Sequence, residues 1–397
     1  FEDINYKQID ENKTITLDFA AYHGGGSLQD FSIVGPNVFL KIRGLYFIEN
    51  RGLEITNLTT DFKYTKSQMQ FYNTILQTNT STLFADIDFN YERENLSKFI
   101  ELVDINANFK KSYVSTSDLK KIYKEFDGND ILRFETSLMG SLNNFSLRNL
   151  NLRSDKGIQI VGDINLINSV KQEEFFLSAN LENASADYFK LKKIFPNLLG
   201  KTLPTELMKF GEFSLSGFTK ITPRSIEATL DINSEIGKVV TDLELNNFDS
   251  LDNAVYNGEV LLDKFDLGNL FDDDAFGDFS FEGLVDGKGF RLENINTQLK
   301  GTISQIEFNK YNYQNITVNG LYKNNLFNGK LGFFDDNLNG TFEGLADLSE
   351  EINKFDFKTT VNYANLRALN LYSRDSISEL SGVIDLDLTG NKLDNVI

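Results

Sequence analysis

The sequence predicts an all-β protein, a long antiparallel meander interrupted by short amphipathic helices. Three observations predict it: apolar and polar residues alternate with a period of two, turn-forming clusters recur at hairpin spacing, and the 397 residues offer no place to cut the chain. Only Pro36, Pro196, Pro204 and Pro223 occur, and no Ser/Gly-rich or Pro-rich linker divides the chain. A long chain without linkers points to one repetitive body, residues 1–397, rather than separate domains.

The alternation begins with Ile15, Leu17 and Phe19 and is longest in Leu83, Ala85, Ile87, Phe89 and Tyr91. It returns in Ile158-Ile160-Gly162-Ile164-Leu166, Phe175-Leu177-Ala179-Leu181, Ile226-Ala228-Leu230-Ile232 and Ile384-Leu386-Leu388. Strand side chains point to opposite faces, so each run places an apolar row on one face and Asp, Asn, Ser, Glu or Lys on the other. Antiparallel sheets permit one wet and one dry face; buried parallel sheets do not. Asn143-Asn144, Asp155-Lys156-Gly157, Asp286-Gly287-Lys288-Gly289 and Asp335-Asp336-Asn337 read as the turns.

Helical spacing appears at 117–126, where Ser117 can cap and Leu119, Ile122, Tyr123 and Phe126 share a face. Residues 187–195 read the same way, and a further turn or two follows Pro204 through Leu207 and Met208. Weaker helical segments lie at 266–271 and 365–369. After each helix comes a strand of the form apolar-x-apolar-x-Gly, ending at Gly140 (with Thr136 in the first place), Gly217, Gly283 and Gly390; unattached copies end at Gly320 and Gly344. The approximate repeats are 1–112, 113–182, 183–262, 263–362 and 363–397. Glycine at one phase within strands marks bends or bulges and implies a sheet that curves. About thirty strands are expected, too many for one compact sandwich; stacked at about 4.8 Å each they would extend on the order of 120–140 Å.

The net charge of −19 and pI near 4.6 argue against nucleic acid and against docking to anionic headgroups through Lys/Arg clusters. Cysteine is absent, which excludes disulfides and thiolate metal sites. No apolar run of about 18 residues predicts a spanning helix, and no signal peptide is visible. The abrupt start at Phe1 and stop at Ile397 lead us to expect a fragment whose targeting and anchoring parts lie elsewhere.

No catalytic constellation is expected, nor a metal or cofactor. His23-Gly24-Gly25-Gly26 matches an oxyanion-hole motif, but no Gly-x-Ser-x-Gly accompanies it and His23 is the only histidine. A glycine-rich turn between strands is the plainer reading. Asp272-Asp273-Asp274 with Asp278 lacks the spacing of an EF-hand loop and reads as a solvated loop. The pairs Lys120-Lys121 and Lys192-Lys193 read as wet helix faces, with headgroup contact as the alternative.

The sequence resembles the TamB family of the AsmA-like, or repeating β-groove, superfamily, in the form found in Bacteroidetes. The resemblance runs over nearly the whole chain and is strongest at 53–65 (LEITNLTTDFKYT), 117–126 (SDLKKIYKEF), 142–152 (LNNFSLRNLNL), and 312–320 (NYQNITVNG) with 326–331 (LFNGKL). It implies a taco-shaped β-groove crossing the periplasm, tethered to the inner membrane by an N-terminal helix and reaching an outer-membrane Omp85-type barrel (TamA-like or TamL-like). Neither the helix nor the C-terminal domain that engages the barrel is in these residues. The implied cargo is phospholipid. The groove lining would be Leu17, Phe19, Ile87, Phe89, Leu138, Ile160, Ile164, Leu177, Phe213, Leu215, Leu230, Val260, Phe279, Phe281, Ile316, Val318, Leu386 and Leu388. Exposing one acyl chain of about sixteen carbons to water costs roughly 12 kcal/mol, at about 0.8 kcal/mol per methylene, so a continuous apolar wall offsets that cost along its length.

Two functions from different classes follow. One is a passive conduit moving phospholipid between the inner and outer membranes; the other is a scaffold or chaperone for outer-membrane protein assembly. An adhesin-like solenoid would need shorter, regular repeats, and a transmembrane barrel would need aromatic girdles that a chain without tryptophan supplies poorly.

Overall fold

The structure, a computed structural model, describes residues 2–9, 15–122, 126, 129–194, 205–247, 250, 252–291, 294–349, 352–372, 374–375 and 377–390. The chain divides into two compact units, Phe1–Leu203 and Pro204–Ile397. Each is an antiparallel up-and-down meander in which every strand pairs with its neighbours in sequence, and neither closes into a barrel among the described residues.

The first unit holds β1 (Asp3–Ile9), β2 (Ile15–Val34), β3 (Asn37–Glu49), β4 (Glu54–Tyr64), β5 (Gln68–Thr78), β6 (Thr82–Asn90), β7 (Asp104–Ser115), β8 (Ile131–Gly140), β9 (Phe145–Ser154), β10 (Gln159–Ile167) and β11 (Phe176–Asp187). Its helices are α1 (Phe99–Leu102), α2 (Thr116–Ile122) and α3 (Tyr188–Ile194). The second unit holds β12 (Glu212–Ile221), β13 (Ser225–Ser234), β14 (Gly237–Asn246), β15 (Val255–Asp266), β16 (Phe276–Lys288), β17 (Asn296–Phe308), β18 (Tyr311–Lys323), β19 (Leu326–Asp335), β20 (Leu338–Asp347), β21 (Lys354–Asn365) and β22 (Glu379–Thr389). A 3-10 turn, Thr205–Phe210, precedes β12, and α4 (Leu267–Phe271) follows β15.

The described strands number twenty-two rather than about thirty because most run ten to thirteen residues and absorb bulges that read in sequence as breaks. Thus His23-Gly24-Gly25-Gly26 is not a turn: it lies inside β2, where the register shifts between Tyr22 and Gly25 and again before Ser27, with His23 at φ 51°. Likewise Asp286, Gly287 and Lys288 end β16 rather than forming the turn after it. In the expected helix at 365–369, Asn365 ends β21 and the residues after it form turns.

Helices α2, α3 and α4 begin within one residue of where the sequence places them, whereas α1 was not expected. Asp187 accepts from Lys190 N–H at 2.7 Å, and Asp266 caps α4 by accepting from Asn269 N–H at 2.8 Å. Helix α2 starts one residue before the expected Ser117 cap, and its Asp118 faces inward to accept from the hydroxyls of Thr78, Thr80 and Ser81 at 2.6–2.7 Å. The C-terminal part of that predicted helix lies largely outside the described residues, as does Phe195.

Candidate functional site: a one-sided apolar wall

In an antiparallel pair, directly opposed residues point to the same face, so the strand registers trace rows across each unit. In the second unit one row reads Leu215, Ile232, Val239, Leu262, Phe281, Ile303, Ile316, Phe333, Gly340, Val361 and Gly382 across all eleven strands. The next row on that face passes through Leu230, Val260, Val318, Leu331 and Phe342, and a third ends at Gly344, Phe357 and Leu386. The intervening row, on the other face, reads Thr229, Asp242, Glu259, Leu284, Lys300, Asn319, Lys330, Glu343, Lys358 and Asp385.

The first unit repeats the division. Leu40, Phe62, Phe71, Ile87, Ala107, Leu138, Leu147, Ile164 and Ala179 form one row from β3 to β11, beside Tyr64, Met69, Phe89, Ile105, Phe145, Leu166 and Leu177. The polar face carries Lys63, Gln70, Asp88, Asn106, Ser146, Asn165 and Ser178, with Met139 among them. Ring contacts join neighbours along the apolar rows, Phe62–Phe71 at 4.9 Å and Phe342–Phe357 at 4.8 Å between centroids.

The residues expected to line a groove fall on these apolar faces: Ile87, Phe89, Leu138, Ile160, Ile164 and Leu177 in the first unit, and the ten from Phe213 to Leu388 in the second. Leu17 and Phe19 stand on β2 opposite Gln8 and Tyr6, with side chains outside the described ones. Sequence reading missed many row members, among them Leu40, Phe62, Phe71, Leu262, Ile303 and Phe333. Their signal was present as alternation within single strands (Leu299, Gly301, Ile303), but only the register shows that rows join.

Burial distinguishes a wall from a filled core. Among the described residues of each unit, only short helices and turns accompany the sheet, and none of these is long enough to form a second layer. Phe281, Ile316 and Val318 are buried, yet most expected lining residues, including Leu215, Leu230 and Val260, are only half-buried. The only apolar residues among the largest fully buried side chains are Leu369 and Val103. A packed two-layer domain instead buries its inward Leu, Ile and Phe completely.

Two devices bend the sheets. In the first unit, Thr60 Oγ1 donates to Tyr72 carbonyl at 3.1 Å, and the following Asn73 takes φ 51° and donates its N–H to Asp86 at 2.7 Å. Thr136, Arg148, Asn149 (φ 51°) and Asp163 repeat the arrangement at 3.0 and 2.8 Å. In the second unit glycine does this: Gly283 faces Gly301, and a Cβ on Gly301 would strike the Glu282 carbonyl oxygen.

Several titratable side chains are shifted by burial and by their hydrogen-bond partners. The hydroxyls around Asp118 and the Lys121 ammonium hold its carboxyl below the usual range although burial opposes this. Burial pushes Tyr91 up to about 12, and burial with the nearby Asp335 does the same for Tyr311. Asp272, Asp273 and Asp274 lie in the loop after α4, where Lys209 Nζ meets Asp272 Oδ2 at 2.6 Å. No group of three or more His, Cys, Asp or Glu able to hold a metal occurs among the described residues. No described helix is long and apolar enough to cross a membrane.

Compared with protein-family models, curated proteins and solved structures, the chain matches none.

Proposed function

We propose that this chain is a passive conduit for phospholipid, its apolar wall carrying acyl chains between the inner and outer membranes as part of a periplasmic protein. The observation that supports the reading best is the apolar row running across eleven strands of the second unit, most of whose side chains are only half-buried. A wall of constant character offers an acyl chain the same transfer free energy at each strand, so sliding meets no high barrier. The resemblance described above adds the compartment, the inner-membrane tether and an Omp85-type partner to this proposal. The test is lipid analysis by mass spectrometry on the purified chain, with a photo-crosslinker at Leu215 or Leu230. Phospholipid adducts are expected; a lipid-free protein whose crosslinker is unreactive toward added phospholipid rejects the reading.

One observation favours the second reading, a scaffold for outer-membrane protein strands. Among the described residues, 25–34 of β2 extend beyond β1 and pair with β3 alone, and Leu28, Phe31, Ile33 and Val34 there are about 60% exposed. Such an edge can accept an added strand. Under this reading, proline substitutions along residues 28–33 abolish binding of unfolded outer-membrane protein segments and leave lipid retention unchanged.

A further inference from the structure

In the first unit, β2 and β3 form a hairpin that turns at Gly35-Pro36, with Val34 opposite Asn37 and Ile33 opposite Val38. Every residue from Gly26 to Pro36 is exposed, and Leu28, Phe31, Ile33 and Val34 are among the most exposed large apolar side chains of the chain.

Two properties set this tip apart. The first is that it is apolar on both faces. Ile33 and Val38 lie in the row of Tyr64, on the apolar face; Val34 and Phe39 lie on the other, Phe39 in the row of Lys63, Gln70 and Asp88. The second is neutrality. Residues 31–40 (FSIVGPNVFL) hold no charged side chain, in a chain that carries 58 acidic and 39 basic ones. The charges that flank them, Asp30 and Lys41, pair with one another at 2.6 Å. Other hairpins turn on groups that water solvates well, such as Asp155-Lys156, Asn309-Lys310, Asn324-Asn325 and Asp336-Asn337.

The tip is also an exposed end of this unit's apolar wall. One row runs through Ile33, Val38, Tyr64, Met69, Phe89 and Ile105 and continues to β11. From Val38 onward its side chains are buried or half-buried, whereas Ile33 is exposed.

A strand added along residues 25–34 would bond to the backbone of the edge and leave both faces of the tip in water. An anionic surface is repelled by the net charge of −19, and residues 31–40 offer it no cation. A neutral bilayer satisfies both faces at once, because it surrounds what enters it.

We infer that the β2–β3 tip inserts into one leaflet of a zwitterionic phospholipid bilayer, with Phe31, Ile33 and Val34 among the acyl chains and the Asp30–Lys41 pair at headgroup level. From Val34 back to Asp30 is roughly 14 Å at about 3.4 Å per residue, which fits within one leaflet of a hydrocarbon core of about 30 Å. The contact brings the exposed end of the row to the lipid that the wall takes up; this loading role rests on the lipid-conduit reading.

The chain has no tryptophan, so Val34→Trp reports on the tip alone and Lys330→Trp on the polar face of the second unit. Each protein is mixed with phosphatidylcholine vesicles, with or without bromine on the acyl chains, and floated through a density gradient. The chain is expected to float, and Val34→Trp to shift its emission to the blue and be quenched several-fold more than Lys330→Trp. The exposed triple variant Phe31→Ser/Ile33→Ser/Val34→Ser, with its sheet intact by circular dichroism, should bind vesicles more weakly by about tenfold or more, since withdrawing even one such side chain from apolar surroundings costs about that factor. Flotation that the triple variant leaves unchanged, or a Val34→Trp spectrum that vesicles do not alter, overturns the inference. So does a triple variant that floats as before but no longer binds an unfolded outer-membrane protein segment, or no longer dimerises: the tip then serves a protein strand or a second copy. The conduit reading is tested separately, with a photo-crosslinker at Leu230 and dihexanoylphosphatidylcholine supplied as monomers. An adduct there with a silent tip overturns the bilayer contact alone; a responsive tip without the adduct overturns the loading role and the conduit reading.

Discussion

The two units reach the same one-sided sheet by different means. In the first, every strand pairing contains a register shift, and buried hydroxyls such as Thr60, Ser112 and Thr136 satisfy the backbone that the bulges release. In the second, β12 to β15 and β17 to β20 pair in continuous register, and glycines fill the apolar rows instead, as in the run Gly320, Gly329 and Gly344. A bulge bends a strand by adding a residue and needs a polar side chain to satisfy the freed groups. A glycine lets neighbouring backbones approach without adding one. The first solution relies on hydroxyls set into the apolar face at its bulges; the second also buries hydroxyls there, at Thr219, Thr241 and Thr297, but relies on glycines that thin the face.

This contrast can be broken most forcefully at a glycine. Gly258 sits at φ 149° with the Asp242 carbonyl where a Cβ would go, so Gly258→Ala should destabilise the second unit by about 2–4 kcal/mol through strain and overpacking. Hydrogen exchange resolved by peptide should show protection lost in 204–397 before 1–203. Next in size is the first unit's staple. Asp118→Ala leaves three hydroxyls without their acceptor and should cost about 2–3 kcal/mol, read as early exchange around β5, β6 and α2. Thr136→Val removes one hydroxyl from one bulge and should cost about 1–2 kcal/mol. If Thr136→Val were neutral, hydroxyls would not be what stabilises the bulges.

Acid should also separate the units. In the first, the Arg43 guanidinium lowers Asp61, Lys110 lowers Asp86 and the Asn149 N–H lowers Asp163; Asp118 and Asp187 are held down by their hydrogen-bond donors against the opposing effect of burial. In the second, only Asp347 among the described residues is lowered, by Ser349. A carboxyl with a depressed folded pKa contributes stability that is complete above its unfolded value of about 3.9 and is lost as pH falls through the folded value. The first unit should therefore loosen first as pH falls below about 4. At high pH the order should reverse: burial raises Tyr256, Tyr311, Tyr313 and Tyr322 in the second unit, Tyr311 to about 12, against Tyr91, also to about 12, and Tyr72 in the first; burial favours their neutral forms, so stability declines as pH rises above the ordinary tyrosine value of about 10, more in the second unit. The smallest effect is expected at the exposed Lys330–Glu343 pair, 2.7 Å apart, where Lys330→Ala should change unfolding by less than about 0.5 kcal/mol.

Strand type, the wet and dry faces and most helix starts were legible in the sequence, because each depends on neighbours within a few residues. Alternation placed Leu215, Leu230 and Phe281 each on the apolar face of its own strand, and Asp187 and Asp266 announced their helices. What the sequence did not reveal was register. A bulge is one residue in a strand that otherwise reads as broken, which is why His23 to Gly26 resembled a turn and why the strands were counted too short and too many. The Thr136–Asn149–Asp163 arrangement joins three strands, and Lys209 meets Asp272 across a hairpin. Contacts of that kind form only once backbone pairing has fixed which strand ends stand side by side, so composition and periodicity determined the wall, and tertiary structure alone decided its continuity and where it is left exposed.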